Sequence, residues 1–201
     1  MNRPNDERAT PFDVTELFSQ YLAGQVDAQA RGLGYPEPGD EAEGTAEANP
    51  HAKRVAMHSF GAHFAQVRVH AATGEIRLDR MLGVFSAGRI VNPRTARSQL
   101  LGGITMGAGM ALHEKSELDP RFGHVVNHDL AGYHIPVSAD VPDIEVSWLE
   151  EEDPAMGPLG ARGIGEIGIV GAAAAIANAA YHATGVRVRD IPVLADAFLT
   201  G

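Results

Sequence analysis

The chain has 201 residues, a formal net charge of -10, 44% hydrophobic residues and no cysteine. That length fits one domain of ordinary size with enough apolar material for a core. The acidic balance argues against nucleic acid or an anionic membrane surface as partner. Without cysteine there is no disulfide, no thiolate-held iron–sulfur cluster and no thiol nucleophile.

The amino terminus, Met-Asn-Arg-Pro-Asn-Asp-Glu-Arg, has no apolar core after it and does not read as a signal peptide. No apolar run is long and uniform enough to span a bilayer, Gly168–Ala180 included. The expectation is a cytoplasmic, soluble chain. Met1–Thr10 is polar, and Pro11–Ala28 carries a short amphipathic helix with Val14, Leu17, Phe18, Tyr21 and Leu22 at helical spacing. Arg31–Pro50, rich in Gly, Pro, Glu and Ala, reads as a solvated linker. The expected division is therefore an appendage over 1–52 and a compact domain over 53–201.

Within that domain, Ser59–Ala71 alternates apolar and polar residues, Ala72-Thr73-Gly74 turns, and Glu75–Phe85 alternates and then becomes apolar. Two such runs joined by a short Gly-containing loop predict a β-hairpin whose second strand runs under other elements. A loop with Gly88 and Pro93 then leads into a helix over about Arg94–Glu114, with Asn92 as cap and Pro93 in the first turn. Gln99 lies on the first turns of this helix, where backbone N–H groups are free to bind an anion. Gly102, Gly103, Gly107 and Gly109 weaken the helix intrinsically. They point either to packing against backbone or a ligand, or to tight helix–helix contact through small residues.

Lys115–Val126 predicts a strand pair about the turn Asp119–Gly123, and Asn127–Pro136 is irregular. Ile144–Leu149 alternates as a strand, and Glu150–Asp153 reads as a solvated turn. Ile169–Thr184 predicts a helix ended by Gly185, followed by a strand at Val186–Arg189 and a tail at Ile191–Leu199. The nine histidines form no H-x-x-x-H pattern on a helix and have no cysteine partners, so no protein-ligated metal is expected.

The stretch Gly157–Ala180 stands apart. Gly160, Gly163, Gly165 and Gly168 surround a single acidic residue, Glu166, just before the helix. Glycine belongs where backbone must approach something closely. A carboxylate beside a helix N-terminus is favoured as the anion. Two readings stay open from the loop alone: a general base, or a charge that only complements the helix dipole. Gly163-Ile164-Gly165-Glu166-Ile167-Gly168 also satisfies G-x-G-x-x-G, with Asp190 further on. A dinucleotide fingerprint opens directly from a buried strand, whereas Asp153–Gly160 is turn-rich and broken by Pro154 and Pro158. An acid inside the loop would also repel a pyrophosphate, so the dinucleotide reading is rejected.

Ala87–Gly103, Val126–Pro136, Ala139–Val146 and Pro158–Gly168, in this order, resemble the C-terminal part of the molybdenum-binding subunit of the xanthine dehydrogenase and aldehyde oxidoreductase family. The likeness is strongest to the bacterial aldehyde oxidoreductase type with separate molybdenum, flavin and iron–sulfur subunits. The resemblance implies an α+β domain, a mixed or antiparallel sheet packed with two Gly/Ala-rich helices. It implies a molybdenum–molybdopterin cofactor, in bacteria the cytosine dinucleotide form, to which the protein gives no metal ligand. By the same resemblance Glu166 is the general base in hydroxylation of an aldehyde or an N-heterocycle such as xanthine, with water as oxygen source. The family's cofactor-contacting segments fall on Arg89, Ile90, Val91, Asn92, Pro93, Arg94 and Thr95, on Gln99, and on Arg162, Gly163, Ile164 and Gly165. Arg162 stands where many relatives have Lys. Implied partners are an iron–sulfur (2Fe-2S) subunit, an FAD subunit and the missing N-terminal part of the molybdenum subunit. The expected compartment is the cytoplasm by sequence, and the periplasm only if a signal-bearing partner exports the folded complex. The competing expectation is a truncated, non-catalytic remnant that only binds partners.

Overall fold

The computed structural model describes residues 51, 54–141, 143–156 and 159–199. The helix expected at Pro11–Ala28 and the linker at Arg31–Pro50 lie outside them, as does the boundary at Lys53. The chain divides into two compact units, Met1–Met57 with Glu152–Arg162 and His58–Glu151 with Gly163–Gly201. Every strand and α-helix described lies in the second.

The hairpin forms where the alternation places it. Strand β1 (Phe60–Val69) pairs antiparallel with β2 (Ile76–Ser86), from Phe60↔Ser86 to Val69↔Ile76, with a bulge between Gln66 and Val67. His70 N donates to Glu75 O at 2.8 Å across the turn, and Gly74 has φ 70°. A side chain there would be strained and would also strike the Ala195 carbonyl. Helix α1 spans Pro93–Leu112, and the short strands β3 (Leu118–Asp119) and β4 (His124–Val125) pair as expected.

Strand β5 (Asp143–Trp148) runs parallel to β2, from Arg80↔Asp143 to Phe85↔Trp148. The sheet order is β1-β2-β5, mixed in direction, with β2 in the centre. That central place explains why the β2 sequence turns apolar: Leu78, Met81 and Phe85 are buried, while no residue of β1 is fully buried.

Helix α1 lays Ala96, Leu100, Ile104, Ala108 and Ala111 into the core at helical spacing. Beyond the glycine loop, α2 (Ile167–Val170) and α3 (Ala172–Thr184) are separated at Gly171. Ala172, Ile176 and Ala180 of α3 are buried, and Ala172 and Ile176 join the core formed by β2, β5 and α1. Ile167–Thr184 has a mean hydropathy of 1.3 over 18 residues, long and apolar enough to cross a membrane by composition alone. Its break at Gly171 and its packing belong instead to a helix pair laid on a sheet. Gly185, at φ 75°, caps α3 as expected.

Val186–Arg189 is not a strand, contrary to its alternating pattern. Val186 N bonds Thr184 Oγ1 at 3.1 Å, and Arg187 turns back onto α3. Its guanidinium reaches Asn178 Oδ1 at 2.6 Å and lies 3.6 Å from the centre of the Tyr181 ring. The tail is anchored further on, where Val193, 2% exposed, donates its N–H to Ala111 O at 2.7 Å. A 3-10 turn, Ala195–Phe198, follows.

Candidate functional site

The glycine loop is held to the fold through its carbonyls. Ser59 Oγ donates to Gly163 O at 2.7 Å, Gln99 Nε2 donates to Gly165 O at 2.6 Å, and His63 Nε2 bonds Gly168 O at 3.0 Å. Gln99, on the exposed face of α1, therefore tethers the helix to the loop. Neither Gly163 nor Gly165 has a positive φ, and a Cβ built on either meets nothing within 4 Å. Gly102, one turn from Gln99 on the same face of α1, has the same open space. Backbone conformation and packing explain none of these three glycines. By contrast Gly103 and Gly107 meet α2 and α3 closely, so for them the small-residue packing alternative holds.

Glu166 occupies the N-cap position of α2 yet makes no side-chain cap hydrogen bond. It is exposed and lines a cleft of about 450 Å³ with Ser59, Phe60, His63, Ile167 and Val170. A carboxylate kept only to finish a helix would accept from the N–H groups of the next turn. Glu166 leaves its oxygens to the cleft.

The expectation of free N–H groups in the first turns of α1 needs a correction. Asn92 Oδ1 accepts from Arg94 N at 3.0 Å and from Thr95 N at 3.3 Å, and Pro93 has no N–H. The helix N-terminus thus spends its own donors on its cap, and the expected free N–H groups for an anion are taken. Gln99 sits about 9 Å further along the helix at 1.5 Å per residue, with its amide on Gly165. What the segment presents outward is side chains: Arg89, Val91, Asn92, Arg94 and Thr95 are exposed and Ile90 is half-buried.

The loop before this segment is set by a residue that sequence reasoning missed. Glu151 was expected in a solvated turn. Instead its Oε1 accepts from Ser86 Oγ at 2.5 Å and from Gly88 N at 3.1 Å. Nothing local in Glu150–Asp153 signals this, because the partners lie 63 and 65 residues away. The Val126–Pro136 stretch is also stapled. Asn127 Nδ2 donates to Lys115 O at 2.7 Å and its Oδ1 accepts from Glu117 N at 2.8 Å. Tyr133 donates its hydroxyl to Glu114 Oε2 at 2.9 Å, and that carboxylate holds the phenol above its ordinary pKa. Arg162 falls in the unit containing Glu152–Arg162. Its side chain is 11% exposed, with Nε 3.7 Å from Asp153 Oδ2.

The structure thus brings Gln99 onto the loop that carries Gly163, Gly165 and Glu166, and sets Arg89–Thr95 in the lead-in and first turn of α1, ending one turn before Gln99. A family model described as the molybdopterin cofactor-binding domain matches residues 3–142. The chain belongs to that family. It is 52% identical over 158 residues to the aldehyde oxidoreductase molybdenum-binding subunit PaoC of Escherichia coli K12, covering 79% of this chain and 22% of PaoC. Quinoline 2-oxidoreductase from Pseudomonas putida 86 matches at 33% identity and a TM-score of 0.63, over 68% of this chain and 18% of that one. Aldehyde oxidoreductase from Desulfovibrio desulfuricans ATCC 27774 matches at 34% identity and a TM-score of 0.63, over 70% and 15%. The family expectation and the mixed-sheet α+β fold are borne out. The chain spans about a fifth of PaoC's length.

A molybdopterin cofactor joins a pterin ring system to a phosphate, and the residues present fit it. Gly102, Gly163 and Gly165 leave side-chain-free backbone facing open space. Exposed Arg89 and Arg94 offer cations to phosphate.

Proposed function

We propose that the chain is part of the molybdenum-binding catalytic subunit of a molybdenum hydroxylase, with Glu166 as general base. Its substrates are aldehydes or N-heterocycles, with water as oxygen source. One observation carries this reading: three glycines that neither φ nor packing requires lie one turn from Gln99 and on the loop it holds, beside a carboxylate with no cap bond. When bound, the cofactor supplies the two-electron redox chemistry that no side chain of this chain can supply. The chain's own contribution is placement and proton transfer. Gly163 and Gly165 would let the cofactor approach the loop backbone, and Gln99 occupies Gly165 O and so fixes that backbone. Arg89–Thr95 would hold its polar and phosphate groups, and Arg162 is a further candidate cation for them. Glu166 Oε accepts a proton in the cleft.

The cytosine dinucleotide form of the cofactor belongs to this reading. So do partner subunits carrying 2Fe-2S and FAD, since the 201 residues hold no cysteine to ligate a cluster themselves. PaoC, by its name, is itself one subunit of its enzyme. The cytoplasm is the proposed compartment, unless a signal-bearing partner exports the complex.

The test is Glu166→Gln in the complete assembly. Gln keeps shape but takes no proton, so turnover falls by roughly 10²-fold or more at unchanged molybdenum content. Full molybdenum content with near-normal turnover would remove Glu166 from catalysis.

A further inference from the structure

The inward row of β1 is His63, Ala65, Val67 and Val69, all half-buried. Three of the four are apolar, as a sheet face against a helix requires. His63 is the exception, and burial holds its ring below the ordinary pKa. Its surroundings fix it closely. Its ring meets Phe85 edge-on, with centroids 5.3 Å apart at 81°. A Cβ added at Gly171 would collide with the same ring. Nε2 then reaches Gly168 O at 3.0 Å.

Gly168 lies two residues beyond Glu166, inside the single turn of α2. Glu166 has no cap bond of its own, so the direction of its carboxylate follows from the backbone that carries it. That backbone is clamped on both sides: Gln99 holds Gly165 O before it, and His63 holds Gly168 O after it. His63 also lines the cleft into which Glu166 faces.

We propose that His63 is a positioning residue for Glu166, acting through its hydrogen bond to Gly168 O. The proposal rests on the reading of Glu166 as the base. A phenylalanine at position 63 would keep the ring against Phe85 and lose the donor. A glutamine would return a donor at nearly the reach of Nε2. Removing the donor frees the α2 turn to open locally, while α1 and the sheet keep their own packing.

The experiment compares His63→Phe and His63→Gln in the assembled enzyme, by amide hydrogen exchange and by steady-state kinetics at measured molybdenum content. In His63→Phe, exchange over Gly165–Val170 rises roughly tenfold while α1 exchange stays as in the wild type. In the same variant kcat falls about tenfold, with KM and cofactor content nearly unchanged. His63→Gln restores both readouts. Should His63→Phe fail to fold, His63→Asn, too short to reach Gly168, takes its place with the same expectations. Wild-type exchange and kcat in the donor-less variant would overturn the proposal. So would equal loss in the Phe and Gln variants, which would make ring shape the cause. Exchange reads the turn whatever Glu166 does: loosening of 165–170 beside full turnover in Glu166→Gln would overturn the base reading and leave the clamp standing.

Discussion

Gly103 and Gly168 meet backbone to backbone where α1 crosses α2: a Cβ built on Gly103 would lie 2.9 Å from Gly168 Cα. The reverse substitution fares no better, since a Cβ on Gly168 would lie 2.8 Å from Leu100 O. Neither obstacle is a flexible side-chain end, so the helices themselves would have to part. This crossing sets the α2 turn, and hence Glu166, against the helix that carries Gln99.

Gly103→Ala is therefore expected to destabilise the fold by about 1–3 kcal/mol, the usual cost of overpacking a tight contact. Gly102→Ala, one residue away, meets open space and removes a helix-weakening glycine. It is expected to be neutral or to stabilise by up to ~1 kcal/mol. Denaturant melts of the two variants check the pair. Equal effects would show that the crossing is looser than these distances.

Burial holds His63 below its ordinary value of 6.5, with the Gly168 hydrogen bond opposing more weakly. The folded state thus prefers the neutral ring, and the unfolded chain takes up the proton first. This contribution to stability is complete above pH 6.5 and is lost as pH falls from there through the lowered folded value. The difference in stability between wild type and His63→Phe should shift against the wild type on going from about pH 7.5 to about pH 5. Carboxylates common to both proteins cancel in that difference. A difference independent of pH would mean that the ring titrates normally.

Glu151 joins the end of β2 to the loop that leads into Arg89–Thr95, through Ser86 Oγ and Gly88 N. Ser86 is 2% exposed, and a hydrogen bond to a charged acceptor contributes more than one between neutral groups. Glu151→Ala is expected to lower stability by about 1–3 kcal/mol. Glu151→Gln, which keeps one carbonyl-type acceptor, should lose less. Chemical denaturation, with amide exchange at Gly88, reads both. Equal losses from Ala and Gln would make charge, rather than the acceptor, the working feature.

Elements written in neighbouring residues were legible in the sequence. The hairpin follows from alternation around Ala72-Thr73-Gly74, and α1 from Asn92-Pro93, whose cap bonds form as expected. The stop at Gly185 is likewise local. Long-range pairing was not legible: nothing in Ile144–Leu149 says that the strand runs parallel to β2. Val186–Arg189 carries a strand pattern, but Arg187 found better partners in Asn178 and Tyr181. At the site, the motif picked out Gln99 and Glu166. It could not show that Gln99 grips the loop, nor that Asn92 consumes the helix donors first. His63 and Glu151 escaped because their roles depend on residues more than sixty positions away.

The open glycines give the sharpest separation between fold and function. A Cβ at Gly165 meets nothing within 4 Å, and the position needs no positive φ. Gly165→Val should therefore change stability by no more than about 0.5 kcal/mol, as for a surface substitution without special contacts. The same isopropyl group would stand in the space that the proposed function gives to the cofactor. Molybdenum and pterin content of the purified assembly should fall by roughly tenfold or more, since each ~1.4 kcal/mol of lost binding is a factor of ten. Glu166→Gln should show the opposite pattern, full content with little turnover. Metal analysis and pterin fluorescence after denaturation, alongside a melt, separate the two variants. Full cofactor content in Gly165→Val would mean that the open glycines face something other than the cofactor.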